Sequence, residues 1–179
     1  MSLWNPPMGR RTPISGYLAL FVLLGLALIQ SSWGQFFTIS GVHPDFVLMA
    51  VVSWTLLHGA AGGILWAIVG GLCLDLLSGG PFGLTVIPFM LVSLLALLGH
   101  GRVLGGYLVL PFMLAFPASL SYYLIQMLLL DALGRPVAWG TTLTHVVVPA
   151  SFLNVLVVLF LFPLLRLLHR RTGREQMRW

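Results

Sequence analysis

Residues 59–84 read GAAGGILWAIVGGLCLDLLSGGPFGL, and this stretch decides the fold. Gly59, Gly63, Ala67, Gly71 and Asp75 recur every fourth residue. On a helix that spacing stacks small side chains into one strip. Such strips let helix backbones approach closely inside a bilayer, where no hydrophobic force drives helices together. Asp75 closes the strip two residues before the apolar run ends at Leu77. An ionised carboxylate at mid-bilayer costs about 2.5–3.5 kcal/mol, so Asp75 belongs near a span end, within reach of water or a backbone donor.

Outward from this stretch the chain is equally apolar. Of its 179 residues, 59% are hydrophobic and only 7% are charged. Mean hydropathy is +1.01. A soluble domain needs a polar shell, with about 25% of its residues charged. Lipid removes that requirement. The fold class predicted is therefore an all-α membrane protein.

The apolar runs are punctuated by glycine, proline and charge. They predict about six transmembrane helices, at 14–33, 46–58, 63–77, 84–98, 107–130 and 141–168, in one domain over 1–179. A short basic tail follows at 169–179. The second and third spans fall short of the roughly 17 residues a crossing needs. As one straight helix, 46–77 would run about 48 Å, which is too long. Two short helices meeting at the glycine run fit better, with a re-entrant pair as the alternative. The first run follows Arg10 and Arg11 but lacks a small-residue cleavage site, so it reads as a retained helix rather than a signal peptide.

All nine basic residues are arginines, and the net charge is +5. With six spans, Arg10, Arg11, Arg102, Arg166, Arg170, Arg171, Arg174 and Arg178 fall on one side. Arg135 falls on the other, with Asp45, Asp75 and Asp131. The positive-inside rule puts both termini in the cytoplasm. Trp33 and Trp139 then sit near the outer interface. Arginine at chain ends points to membrane orientation rather than to nucleic acid.

Few side chains carry chemistry. Asp75 has two readings. In the structural one its carboxylate accepts hydrogen bonds from the Ser78-Gly79-Gly80 turn. In the functional one it handles a proton, an ion or a partner contact. The turn lacks the Lys-Ser/Thr pair of a phosphate loop. Pro44 and Asp45 suit the start of a helix. His43 and Asp45 have no further metal ligand nearby in sequence. His145 lies inside the sixth span, and Gln126 and Asn154 read as interhelical hydrogen bonders. Pro88, Pro111, Pro117, Pro149 and Pro163 fall in spans, where each favours a kink. Cys73 is alone, so no internal disulfide forms. No catalytic constellation, metal set or cofactor fingerprint emerges, and none is expected.

The stretch 44–84 resembles the MreD family of rod shape-determining membrane proteins. The carrying residues are Pro44-Asp45 before an apolar span, Gly63, Gly70-Gly71, and Asp75-Leu76-Leu77-Ser78-Gly79-Gly80-Pro81-Phe82-Gly83-Leu84. The resemblance implies a non-enzymatic component of bacterial cell elongation and peptidoglycan synthesis. It implies residence in the cytoplasmic membrane and direct binding to MreC. Through MreC it implies links to MreB, to RodA and to a class B penicillin-binding protein. Pro44, Asp45, Gly63, Ala67, Gly70, Gly71, Asp75, Ser78, Gly79, Gly80 and Gly83 would then be motif and packing positions. The strip at Gly63, Ala67 and Gly71 would support either the internal fold or the docking of an MreC helix. The family fold is similar to the substrate-binding S components of energy-coupling-factor transporters. That similarity supplies the alternatives, a vitamin-binding component or a lipid-precursor transporter. The polar residues that stand out, Gln35, Asp45, Asp75 and Asn154, are not grouped in sequence for vitamin capture, which tilts the reading toward a scaffold.

Overall fold

The computed structural model describes residues 14–33, 42–101 and 109–173, with side chains placed over 20–32, 42–101 and 109–167. Arg10, Arg11, Gln35, Arg102, Arg174 and Arg178 lie outside the described residues. Every regular element among those described is helical: α1 (Ile14–Trp33), α2 (Phe46–Ser78), α3 (Val86–Ala96), α4 (Leu110–Ala132), α5 (Trp139–Thr142) and α6 (Val148–Gly173). A 3-10 turn, Leu97–Gly99, extends α3, and a π-helical segment, Leu143–Val147, joins α5 to α6 in one rod. Phe46–Ser78, Leu110–Ala132 and Trp139–Leu167 are long and apolar enough to cross a membrane, while Leu20–Ser32 and Val86–Gly99 are shorter apolar helices.

The 33 residues of α2 do not form one straight rod. Gly59 interrupts it with φ 73° and ψ −163°. A Cβ placed on Gly70 would lie 2.9 Å from Val47 Cγ1. Twenty-three residues of straight helix would separate those positions by about 35 Å. Gly63 likewise meets the Thr55 side chain. The helix therefore folds back on itself at Gly59 into two antiparallel arms, 46–58 and 60–78. The sequence marks a break somewhere between Gly59 and Gly63, and the structure makes it at a single residue. Gly59 occupies a backbone region open essentially to glycine alone. A Cβ there would also sit 3.0 Å from His100 Nε2. Gly59→Ala is expected to cost about 1–3 kcal/mol, read as a lower melting temperature in detergent; an unchanged melting temperature would mean the reversal is made elsewhere.

The first arm is the centre of the molecule. Every residue from Val47 to Leu57 is buried. A helix apolar on all sides belongs in an interior, and here α1, the second arm, α3, α4 and α6 surround it. The second arm is two-faced. Gly63, Trp66, Ala67, Gly70, Gly71, Cys73 and Asp75 turn inward, whereas Leu65, Ile68, Leu72 and Leu76 are 40–60% exposed. The strip of small residues is thus filled by the protein's own helices. Gly63 meets Thr55 and Ser93, and a Cβ on Gly71 would come 2.6 Å from Val86 Cα of α3. Thr55 and Ser93 hydroxyls bond across the same contact at 3.0 Å.

Pro111 stands in the first turn of α4 and Pro88 in the first turn of α3. An N–H in that position has no intrahelical acceptor anyway, so proline loses nothing there. Pro149 follows the π segment, and only Pro117 and Pro163 interrupt helix interiors.

Candidate functional site

The ends of α1, of the second arm and of α4 meet the starts of α2, α3 and the last rod at one end of the bundle. Polar side chains collect there. Asp45 Oδ1 accepts a hydrogen bond from Gln30 Nε2 at 2.8 Å. Its Oδ2 accepts another from the Tyr123 hydroxyl. Gln30 Oε1 accepts from the Val47 N–H at 3.1 Å, which serves one of the orphan donors at the start of α2. The Asp45 N–H donates to Asn154 Oδ1 at 2.7 Å. Asn154 Nδ2 donates in turn to Ser119 Oγ at 3.0 Å. Asn154 and Ser119 are wholly buried. One residue, through its carboxylate and its backbone N–H, therefore ties α1, α2, α4 and α6 together. Burial pushes the Asp45 carboxyl above the usual carboxylate range, while hydrogen bonds from Tyr123, Asn154 and Gln30 and the nearby His43 pull it back down. Asp45, half-buried, lines a cavity at this end of the bundle.

Asp75 makes different bonds from those the sequence predicts. Its carboxylate accepts from the N–H of Gly83 at 2.8 Å and of Thr85 at 3.0 Å. The Ser78-Gly79-Gly80 turn is held by other means. Ser78 Oγ donates to the Asp75 carbonyl, Gly80 N–H donates to Ser78 Oγ, and Gly79 takes the left-handed conformation with φ 63°. The reason lies in the start of α3. The N–H groups of Gly83 and Thr85, just ahead of that helix, have no acceptor within it, and a negative charge suits the positive end of its dipole. An anion buried to 2% exposure binds those donors in preference to a turn already satisfied. Gly83, with φ 96°, bends the chain so that its N–H faces the carboxylate. Both carboxylate oxygens are used, so an amide cannot replace them. Asp75→Asn is expected to lose one bond and to cost about 1–3 kcal/mol, measured by thermal unfolding. A melting temperature equal to that of the parent would show that one acceptor suffices.

Between these two acids lies a cavity of about 480 Å³. Gln30, His43, Asp45, Thr85, Tyr122 and Gln126 supply its polar wall, and Leu74, Leu77 and Val146 its apolar one. The buried Tyr122 stands on this wall with Thr85 and Gln126. Val146 comes from the π segment. Gln30, Ser119, Tyr122 and Tyr123 carry no sequence signal of this role, because a tyrosine or serine in an apolar helix is ordinary. Asn154 stands out in the sequence as a hydrogen bonder, but its bond to the Asp45 backbone does not.

The remaining motif residues are structural in placement. Pro44 is buried and lines a second, apolar groove with Phe46, Leu156, Phe160 and Leu164. Cys73 is buried. Among the described residues no group of three His, Cys, Asp or Glu gathers as a metal site. At the opposite end Trp54 stacks between His58 and Trp66, with ring centroids 3.8 and 4.1 Å away. His100 Nδ1 lies 2.8 Å from the Leu56 carbonyl.

These features define an all-helical protein with helices of membrane-crossing length, locked at one end by a buried polar network. The chain belongs to the family described as rod shape-determining protein MreD, whose model matches residues 12–172. No curated protein and no solved structure matches it.

Proposed function

We propose that the chain is a non-enzymatic scaffold of the cell-elongation complex that makes peptidoglycan. It sits in the bacterial cytoplasmic membrane, crosses it six times and keeps both termini in the cytoplasm. It binds MreC directly, and through MreC it meets MreB, RodA and a class B penicillin-binding protein. The family match over 12–172 carries this reading. The packing supports it, since the described residues fall almost wholly within helices and short turns. Each of the two arms of α2 counts as one crossing in this reading, so the bundle end bearing Asp45, Asp75 and Arg135 faces outward.

The docking surface is not the glycine strip, because α3 and the first arm already occupy it. A partner helix meets the outer apolar faces instead, either the ridge of Leu65, Ile68, Leu72 and Leu76 or the groove beside Phe160. The test is co-purification of MreC with the tagged chain from detergent-solubilised membranes. A chain that restores rod shape to a deletion strain and never elutes with MreC would overturn direct binding. Reporter fusions at Gly80 and at the C-terminus test the crossings. Gly80 should report from outside the membrane and the tail from inside.

A further inference from the structure

Among the described residues, the Asp45 carboxylate is met by neutral hydrogen-bond donors, and the basic side chain within electrostatic reach of it is His43. An ionised carboxylate offers about four lone-pair sites, and the bonds from Gln30 and Tyr123 take one on each oxygen. Among the described residues no arginine lines the cavity beside it, and His43 is the basic residue on its wall. An anion withdrawn from water gains strongly from a paired cation that also donates hydrogen bonds. Tyr122 and Gln126 add neutral oxygens on the same wall, while Leu74, Leu77 and Val146 offer an apolar wall opposite. The volume, about 480 Å³, falls in the range of small-molecule sites. The wall at Val146 belongs to a π-helical turn, an irregularity found frequently at functional sites.

We propose that this cavity binds a small amphiphile through a primary ammonium group, held by the Asp45 carboxylate with its apolar body against Leu74, Leu77 and Val146. Two sources carry that chemistry, the headgroup of an aminophospholipid and a free alkylamine. The site does not depend on the scaffold reading, and its test is separate from MreC binding.

The experiment uses the purified full chain in detergent. Binding of phosphatidylethanolamine, phosphatidylcholine and hexylamine is followed by native mass spectrometry and by the shift in melting temperature. Phosphatidylcholine keeps the positive charge and removes the N–H donors. The expected result is stabilisation by phosphatidylethanolamine, by hexylamine or by both, with phosphatidylcholine weaker by about tenfold or more. Response to phosphatidylethanolamine alone assigns the lipid source, and response to hexylamine assigns the soluble one. Asp45→Asn should lower the affinity by about tenfold or more. Leu77→Trp fills the cavity, leaves the Asp45 bonds in place and should abolish binding in a folded protein. No response to either amine, equal response to phosphatidylcholine, or full binding in Leu77→Trp would each overturn the proposal.

Discussion

Replacing Gly71 by leucine is expected to abolish the folded protein. Even a single Cβ at this position would lie 2.6 Å from Val86 Cα and 2.9 Å from Val86 N. Both are backbone atoms at the start of α3, so no rotamer change relieves the contact. The two helices must separate, and separation takes the Asp75 carboxylate away from the Gly83 and Thr85 amides. Overpacking alone costs about 1–3 kcal/mol, and two buried hydrogen bonds to a charge add about 1.5–3 kcal/mol each. The sum is comparable to the whole stability of many domains. Size-exclusion of a fluorescent fusion in mild detergent should show aggregate instead of a single peak. Gly25→Ala is the control, because nothing lies within 4 Å of a Cβ there. A monodisperse Gly71→Leu protein with the parent's melting temperature would mean that α2 and α3 are not packed as described.

The second large effect is expected from Asp45→Ala. The substitution leaves the Asp45 N–H and its bond to Asn154 intact, so it tests the carboxylate alone. It strips acceptors from Gln30 Nε2 and the Tyr123 hydroxyl. An unsatisfied buried donor costs about 1–3 kcal/mol, so the loss is on the order of 2–5 kcal/mol for the pair. Asp45→Asn keeps one oxygen and should fall between the parent and Asp45→Ala. Thermal unfolding in detergent orders the three, and restoration of rod shape should follow the same order. If alanine and aspartate melt alike, the carboxylate is dispensable and its links to α1 and α4 add nothing to their packing.

The helical, lipid-adapted character of the chain is legible in its hydropathy. The every-fourth-residue strip also points to a close approach between helices, because small side chains at that spacing have one local meaning. The identity of the neighbour is another matter. Gly70 meets Val47 because the chain reverses at Gly59, and Gly71 meets Val86 because it reverses again between Gly79 and Gly83; each reversal depends on one or two backbone angles among many glycines. Asp75 illustrates the limit. Its nearest polar neighbours in sequence are Ser78 to Gly80, yet its donors are Gly83 and Thr85. The Asp45 network is less legible still. Its members lie 15, 78 and 109 residues away along the chain, and periodicity carries no information at those separations.

The burial of the first arm has a consequence for biogenesis. Residues 46–58 leave the ribosome before most of the helices that enclose them, and Asn154 follows Asp45 by 109 residues. Until then the Asp45 backbone amide and the Ser119 hydroxyl lack the partner that joins them in the finished protein. A truncated or stalled chain therefore displays unmet polar groups to lipid, which an insertase would have to shield and a membrane protease could recognise.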